Sequence, residues 1–269
     1  MPDAMAPDLL LRSDADGIAT LTLNRPAARN ALSVPLMTAL ETALDAIEHD
    51  STVHVAILAA NGPAFCAGHD LREVRAASPA ALERLFAQCS RLMQRITTLR
   101  VPVIARVHGI ATAAGCQLVA TADLAVAADT ARFATPGVNI GLFCSTPMVA
   151  LSRAVGRKAA MEMLLTGDMI DAATAERLGL INHAVPEAGL DAAVQSLAAR
   201  IAGKSPAVLA LGKPAFYAQA ERPLAEAYDY AAAVMVRNMA EPDAAEGIDA
   251  FLQKRHPMWA GTYKDGLTG

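Results

Sequence analysis

The chain has 269 residues, of which 54% are apolar, and a formal net charge of −4 at pH 7. This length and composition allow one large core, and a mild charge without a basic stripe argues against nucleic acid as a partner. No apolar run reaches the roughly 18 residues that span a bilayer. The N-terminal sequence MPDAMAPDLLLRSDADG has acidic residues where a targeting peptide has basic ones. We therefore predict a cytoplasmic protein without a membrane span.

Strand and helix patterns alternate through the first part of the chain. Ser33 and Ser78 are plausible N-caps, each followed by an early proline and by apolar residues spaced three and four apart. Residues 17–24 alternate like a half-buried strand, and three short apolar runs are typical of buried strands: residues 53–60, 102–109 and 124–129. Alternating strands and helices predict an α/β fold.

The strand signals stop after about residue 200. The remaining chain predicts three helices joined at Pro223 and Pro242. We therefore predict a core of residues 1–200 and a helical C-terminal region of residues 201–269. The four cysteines form no C-x-x-C pair, which fits reduced thiols. Cys66 and His69 are spaced like two metal ligands, but no second pair is nearby, so we predict no metal site.

Six segments, in order, carry a resemblance: LNRPAARNAL, FCAGHDL, PVIARVHGIATAAGCQLVATADLAVA, FATPGVNIGL, AVGRKAAMEMLLTGDMIDAATAERLGLINHAV and EGIDAFLQKRHPMW. The chain resembles the crotonase (enoyl-CoA hydratase/isomerase) superfamily over nearly all of residues 17–259. The combination of ATAAGCQLVA with FATPGVNIGLFCSTP is similar to one branch of it. The resemblance implies a spiral of β-β-α units in two sheets, followed by a helical region that forms homotrimers or dimers of trimers. The segment LAEAYDYAAAVMVRNMA, apolar around much of its circumference, agrees with such association.

The resemblance also implies an oxyanion hole, in which two backbone N–H groups hold the thioester oxygen of an acyl-CoA as it becomes an enolate. By position these donors are the amides of His69 and Ala114, and Ala114 is expected in a first helical turn, where amides lack intrahelical acceptors. The His69 side chain has two readings. The sequence GHD is similar to the methylmalonyl-CoA decarboxylase branch, in which it would be catalytic; otherwise the imidazole only lines the pocket. Asp70 is expected to accept hydrogen bonds from turn amides.

Binding of the CoA moiety is implied at three places. The loop around Ala27 to Arg29 is expected to meet the adenine, Ala67 and the HDLR segment to flank the pantetheine, and two basic residues to approach the phosphates. The predicted binding residues are Ala27, Ala28, Arg29, Ala67, Asp70, Leu71, Arg72 and Lys254.

The two glutamates that perform proton chemistry in hydratases of this superfamily are replaced. Gln117 and Gly137 occupy their positions, and neither residue titrates. Each general acid or base contributes about 10²–10⁴-fold to a rate, so hydratase activity is expected to be weak. Cys144 and Ser145 are the nearest unusual polar residues and are either pocket wall or alternative catalytic groups.

Two classes of function remain. The first is an enzyme of the hydratase/isomerase type, with lyase-type chemistry on CoA thioesters as in fatty acid metabolism, or a decarboxylase or thioesterase that needs the oxyanion hole but no carboxylate pair. The second is a non-catalytic acyl-CoA-binding protein. In each class the CoA thioester is the substrate or ligand, and no separate cofactor is expected.

Overall fold

Two β-sheets form the centre of the molecule, which we describe from a computed structural model covering residues 8–260. The larger sheet consists, in spatial order, of β1 (Leu10–Ala15), β2 (Ile18–Leu23), β3 (Val55–Ala60), β5 (Val103–Val107), β7 (Leu124–Ala128) and β10 (His183–Val185). The smaller sheet consists of β4 (Ala64–Cys66), β6 (Ile110–Thr112), β8 (Arg132–Ala134) and β9 (Ile170–Asp171). Only β1–β2 and β8–β9 pair antiparallel; the other pairs of neighbours are parallel.

Eleven α-helices connect and cover these sheets within residues 8–260. They are α1 (Val34–Glu48), α2 (Leu71–Ala76), α3 (Pro79–Thr98), α4 (Ala114–Thr121), α5 (Pro147–Ala154), α6 (Arg157–Thr166), α7 (Ala172–Leu178), α8 (Leu190–Ala202), α9 (Pro206–Ala220), α10 (Leu224–Met239) and α11 (Pro242–Leu252). None of these helices is both long and apolar enough to cross a membrane.

The predicted strands and helix starts are confirmed to within two residues. The Ser33 side chain accepts a hydrogen bond from the Leu36 amide and that of Ser78 from the Ala81 amide, both at 3.3 Å, so both residues cap their helices. Every residue of β3 is buried, because α1 and α3 pack on one side of the larger sheet and α8 on the other. A sheet covered on both faces explains why its central strands read as uninterrupted apolar runs.

Along the chain, a strand of the larger sheet is repeatedly followed by a short strand of the smaller sheet and then by a helix. Thus β3 leads into β4, β5 into β6 and β7 into β8. This is the β-β-α repetition that the resemblance implied. Each step from one sheet to the other ends near the start of a helix, and the site described below is built at two of these starts.

The sequence patterns missed six strands, for two reasons. Five of them, β4, β6, β8, β9 and β10, have only two or three residues, which is too short for a recognisable period. The sixth, β1, is almost wholly exposed and lacks an apolar face. It is a strand because the turn at Asp16 and Gly17, with φ of 51° and 76°, folds it back on β2 as a two-residue hairpin.

The three predicted C-terminal helices are α9, α10 and α11, with Pro223 preceding α10 and Pro242 opening α11. No residue of α10 is buried, and Leu224, Tyr228 and Val236 are each more than 70% exposed. The homotrimer and the boundary at residue 200 stay predictions, and residues 261–269 lie outside the described residues.

A buried ion pair attaches α9 to the core. The Lys213 ammonium lies 2.7 Å from the Asp123 carboxylate and donates to the carbonyl oxygens of Ile96 and Val101. Burial lowers the pKa of Lys213, and the charge of Asp123 opposes that effect. Asp123 also accepts hydrogen bonds from the Tyr217 hydroxyl and from a backbone amide of β5, so one carboxylate joins α9 to the larger sheet.

We expect Lys213→Met to lower the free energy of unfolding by about 3–5 kcal/mol, because the substitution leaves the buried Asp123 carboxylate without its counter-ion. The matched control is Arg153→Met, which removes an ion pair to Glu221 whose two side chains are 57% and 65% exposed. That change is expected to cost less than about 1 kcal/mol. Urea unfolding monitored by circular dichroism measures both, and equal losses would contradict the anchoring role.

Candidate functional site

An apolar cavity of about 690 Å³ opens beside the start of α4. α2 contributes Leu71 and Val74 to its wall and α3 contributes Phe86. The opposite wall is the segment from residue 136 to 147, including the half-exposed side chains of Leu142 and Phe143. No sequence pattern singles out Phe86 or this pair, because an apolar side chain on an amphipathic helix or in an irregular loop carries no signal that distinguishes pocket wall from core.

The backbone on both sides of His69 is fixed by Leu32. The Leu32 amide donates to the Gly68 carbonyl at 2.7 Å, and the Asp70 amide donates to the Leu32 carbonyl at 3.1 Å. In a parallel bridge of this kind the N–H of the middle residue points away from the partner. The His69 amide therefore faces away from Leu32, and no hydrogen bond within residues 8–260 uses it as a donor.

Ala114 is the first residue of α4, as predicted. Amides in a first helical turn lack an intrahelical acceptor, and the helix dipole favours negative charge there. Within the described part of the chain, no hydrogen bond has the Ala114 amide as its donor. The helix starts abruptly because Ala113 adopts φ 50° and ψ −118°, a conformation in which a residue with a Cβ is strained.

The two segments carrying these amides touch. A Cβ atom built on Gly68 would lie 2.8 Å from the Cβ of Ala113 and 3.4 Å from the nitrogen of Ala114. One built on Gly115 would lie 2.0 Å from the carbonyl oxygen of Cys66. Only glycine at these two positions allows the end of β4 and the start of α4 to approach so closely, and His69 and Ala114 consequently border the same cavity.

A buried polar network holds the neighbouring loop. The fully buried Asn30 side chain donates to the carbonyl oxygens of Asn61 and Ala64, both at 2.8 Å, and accepts from the Arg25 amide. Arg25 in turn lies 2.7 Å from the Asp70 carboxylate, and this pairing is the main cause of the lowered pKa of Asp70. Asp70 also caps α2 by accepting from the Arg72 amide, which agrees with its expected role in a turn.

The His69 side chain lines the cavity, but its two ring nitrogens are themselves buried, and neither makes a hydrogen bond of ordinary geometry within the described residues. Its ring meets that of Phe86 edge-to-face, with 5.4 Å between centroids. Burial lowers the pKa of His69 from its ordinary value of 6.5, and the backbone of Leu32 offsets this only in part. Burial therefore favours the uncharged form of the ring.

Gln117 does not border this cavity, in contrast to the prediction that it would. It lines a second cavity, of about 590 Å³, between α4, α5 and α9. Its side chain is 4% exposed, and its carbonyl oxygen lies 4.0 Å from the Cys89 sulfur of α3. Within the described residues, Gln117 therefore lines the cavity beside α3, α5 and α9 and is not part of the lining beside Ala114.

Gly137 borders the main cavity, and its surroundings have no room for a side chain. A Cβ atom there would lie 2.6 Å from the carbonyl oxygen of Leu142 and 3.0 Å from the Cys144 sulfur. Cys144 and Ser145 line the same cavity. Burial raises the pKa of the Cys144 thiol, which keeps it protonated at pH 7, and the Ser145 hydroxyl lies 3.4 Å from the Phe143 carbonyl oxygen, to which it donates.

The residues predicted to bind CoA divide into two groups. Ala67 and Leu71 border the cavity beside His69. Six others lie outside its lining: Ala27, Ala28, Arg29, Asp70, Arg72 and Lys254. The loop of Ala27 to Arg29 is nevertheless tied to the site, because the Ala67 amide donates to the Arg29 carbonyl at 3.0 Å. Arg72 and Lys254 are exposed side chains.

Cys66 and His69 do not form part of a metal centre in the described residues, where no cluster of three or more His, Cys, Asp or Glu side chains is placed to hold an ion. Burial raises the pKa of the Cys66 thiol to about 12. A thiol with this pKa is protonated at neutral pH and is not a nucleophile there.

Comparison with known proteins agrees with the six sequence segments. The family model described as enoyl-CoA hydratase/isomerase matches residues 13–262. A mouse relative named enoyl-CoA hydratase domain-containing protein 3, mitochondrial, is 47% identical, and the match covers 94% of this chain and 85% of that protein. The crystal structure of the human protein of that name is 46% identical, with a TM-score of 0.91, and the match covers 94% of this chain and all of that one. An enoyl-CoA hydratase structure from Mycobacterium smegmatis is 53% identical, with a TM-score of 0.92 and 94% and 99% coverage.

The prediction of a cytoplasmic location is wrong on this comparison. The mouse, rat, frog and human relatives, each 47% or 48% identical, are all named as mitochondrial proteins. The prediction relied on the acidic residues among the first 17, and the names of these relatives overturn it.

The strain at Ala113 is testable. We expect Ala113→Gly to raise the free energy of unfolding by about 1 kcal/mol, because glycine adopts positive φ without a steric penalty and a strained residue costs about 1–3 kcal/mol. Ala114→Gly is the matched control. It is expected to lower the free energy of unfolding by about 0.5–1 kcal/mol, since Ala114 has ordinary helical geometry. Destabilisation by both changes in thermal unfolding would show that Ala113 is not strained.

Proposed function

Because the chain belongs to the enoyl-CoA hydratase/isomerase family, within the branch of enoyl-CoA hydratase domain-containing protein 3, we propose that it is an enzyme acting on acyl-CoA thioesters in the cavity beside His69 and Ala114. The thioester oxygen accepts hydrogen bonds from the amides of these two residues, and the acyl group extends into the apolar space. The observation that carries the proposal is that two amides without acceptors border one cavity at a helix N-terminus.

The character of the cavity supports an uncharged acyl group. Its described lining includes neither a lysine nor an arginine that could pair with a second carboxylate on the substrate. An isolated charge in apolar surroundings is costly without such a partner. We therefore favour hydrocarbon acyl chains over malonyl-type groups, which weighs against the decarboxylase alternative.

Efficient hydration is not part of the proposal. Hydration requires one group that takes a proton from water and another that delivers a proton to the α-carbon, and the described lining of the cavity has no carboxylate for either task. The space around Gly137 leaves no room for the second glutamate of the hydratases. The amides remain able to stabilise an enolate, because they are backbone groups that do not depend on side-chain identity.

We expect the protein to hydrate crotonyl-CoA at least about 10³-fold more slowly than a hydratase with both glutamates, because two acid–base contributions of about 10²–10⁴-fold each are missing. The measurement is loss of the enoyl absorbance under matched conditions, with a two-glutamate hydratase as the reference. Hydration at a comparable rate would refute the proposal that the replaced glutamates matter.

A panel of acyl-CoAs tests the preference for uncharged chains. Crotonyl-, hexanoyl- and octanoyl-CoA are expected to bind more tightly than malonyl- and methylmalonyl-CoA in calorimetric titrations. Free CoA serves as the control for binding of the nucleotide alone. Release of CO₂ from methylmalonyl-CoA would instead support the decarboxylase alternative, and release of free thiol would support the thioesterase alternative.

The oxyanion hole is tested by removing one donor. Proline at position 114 deletes the amide hydrogen. The residue before a proline is sterically restricted, and Ala113 is already strained. The substitution is therefore made in a protein that also carries Ala113→Gly, which serves as the background. We expect Ala114→Pro in this background to weaken binding of acetoacetyl-CoA, which enolises, by about 10-fold or more while changing free CoA binding little. Equal losses for both ligands would remove Ala114 from the hole.

A further inference from the structure

The second cavity, which Gln117 lines, continues the main cavity along the helices that form its walls. The two cavities have volumes of about 690 and 590 Å³ and share no lining residue within residues 8–260. Three helices, α3, α4 and α5, line both of them. On each of these helices, the residues beside the main cavity precede in the chain those beside the second cavity. The two cavities therefore lie end to end along the three helices.

Side-chain contacts show that α3 and α4 run side by side in this order. The Cys89 sulfur of α3 lies 4.0 Å from the Gln117 carbonyl oxygen of α4. One turn further along both helices, the Thr121 hydroxyl lies 3.6 Å from the Met93 sulfur. Residues three or four positions apart share one face of a helix, so each helix presents one continuous stripe of residues to both cavities.

The side chains of Cys89 and Gln117 separate the two cavities. Phe86, three residues before Cys89, borders the main cavity, and Met93, four residues after it, borders the second. This partition is weakly held, because a thiol is a weak donor and 4.0 Å is a long separation. No other hydrogen bond of the Gln117 side chain occurs within the described residues. Since this side chain borders the second cavity, it has space into which it can rotate.

The second cavity is suited to an uncharged chain. Apolar side chains from five elements or connections line it: Met93, Val119, Ala150, Leu180 and Phe216. Asp123 and Tyr217 also border it, but they are hydrogen-bonded to each other at 2.9 Å. The exposed ion pair of Arg153 and Glu221 borders it as well, so the cavity reaches the protein surface.

We propose that the two cavities form one acyl-chain channel, in which Gln117 rotates aside and the methyl end of a long hydrocarbon chain passes into the second cavity. The inference rests on the proposed function, because it needs the thioester oxygen to lie at the His69 and Ala114 amides. The substrate class is then long, unbranched and uncharged acyl-CoA thioesters. Gln117 determines specificity in this arrangement and takes no part in proton transfer.

The length of the channel sets the length of the chain. On α3, Thr97 of the second cavity lies eleven positions after Phe86 of the main cavity, which is about 16 Å at about 1.5 Å per residue. An extended hydrocarbon advances about 1.3 Å per carbon, given bonds of about 1.5 Å, so roughly 12 carbons span both cavities. A neutral amide at Gln117 suits such a passage, because a carboxylate there would lose its hydration to the chain without gaining a partner.

Calorimetric titration of the full chain with hexanoyl-, octanoyl-, decanoyl- and dodecanoyl-CoA, each below its micelle-forming concentration, tests the inference. A buried methylene increases affinity about 4-fold, so dodecanoyl-CoA is expected to bind the parent at least about 30-fold more tightly than hexanoyl-CoA. Ala150→Phe fills the second cavity and is expected to reduce this ratio to about 3-fold or less. The matched control is Ala192→Phe, at an exposed position of α8 on the opposite side of the larger sheet, which is expected to keep the ratio.

A photoreactive chain locates the methyl end directly. Dodecanoyl-CoA with a diazirine at its terminal carbon is irradiated with the parent, and the labelled peptides are identified by mass spectrometry. The label is expected on the second-cavity residues of α5 or α9, whereas a hexanoyl probe with the same group is expected to label Phe86 or residues 136–147.

A second variant keeps the inference testable should Ala150→Phe fail to fold. Gln117→Ala removes the side chain that must be displaced, and displacing an ordered side chain costs about 0.5–1.5 kcal/mol, or about 2- to 10-fold in affinity. The ratio of dodecanoyl-CoA to hexanoyl-CoA affinity is therefore expected to increase by about 2- to 10-fold over the parent. A ratio that stays the same or decreases would contradict the role of Gln117.

The outcomes separate this inference from the proposed function. Equal affinities of the parent for hexanoyl- and dodecanoyl-CoA, or an unchanged ratio in Ala150→Phe, would overturn the channel while leaving acyl-CoA binding intact. A dodecanoyl label confined to the main cavity would also overturn it. If Ala150→Phe alters the oligomeric state in light scattering and leaves the ratio unchanged, the second cavity is instead a surface that a second copy of the chain covers. Failure of every acyl-CoA to bind would overturn the proposed function itself.

Discussion

The contact between the end of β4 and the start of α4 is the constraint on which the site depends. Here the backbone of Gly115 approaches the Cys66 carbonyl so closely that any side chain would overlap it, and Gly68 approaches Ala113 in the same way. No other residue type fits at these two positions without moving the backbone. The contact sets the distance between two peptide groups from consecutive β-β-α units, and these are the groups whose amides we assign to the oxyanion hole. Because the donors are backbone atoms, substitutions of the surrounding side chains change the chemistry without removing the hole.

Ala113 shows the cost of keeping this geometry with a side chain present. An alanine at φ 50° is held there by the hydrogen bond from its amide to the Ala134 carbonyl on one side and by the start of α4 on the other. Strain of this kind persists only where the surrounding structure over-determines the conformation. The neighbouring network of Asn30, Arg25 and Asp70 fixes the segment that carries His69, since each of its polar groups has a defined partner. The backbone is therefore tightly constrained on both sides of the proposed oxyanion hole.

The sequence predicted those parts of the structure that have a period or a recognisable terminus. The buried strand β3, the Ser33 and Ser78 caps and the three C-terminal helices all follow from local patterns, and the position of Ala114 in a first helical turn followed from the family motif. Short strands were missed because two or three residues contain no period. The placement of Gln117 was wrong for a different reason: a motif fixes which residue occupies a helix position, but the neighbouring helices decide which of two cavities that side chain borders. Nor does any local pattern show that the His69 ring nitrogens are buried, since that depends on how the surrounding elements pack around the ring.

The replacement of the two glutamates is physically consistent with the apolar lining of the cavity. A carboxylate beside Ala114 would need water or a hydrogen-bond donor to remain charged, and the described lining offers few polar side chains. A neutral imidazole has no such requirement, because burial only strengthens its preference for the uncharged form. The same burial that would raise the pKa of a glutamate lowers that of His69, so each group would favour its uncharged form here. With no carboxylate in the described lining, the dipole of α4 and the amides of the proposed oxyanion hole would act on a thioester oxygen without competition from a nearby negative charge.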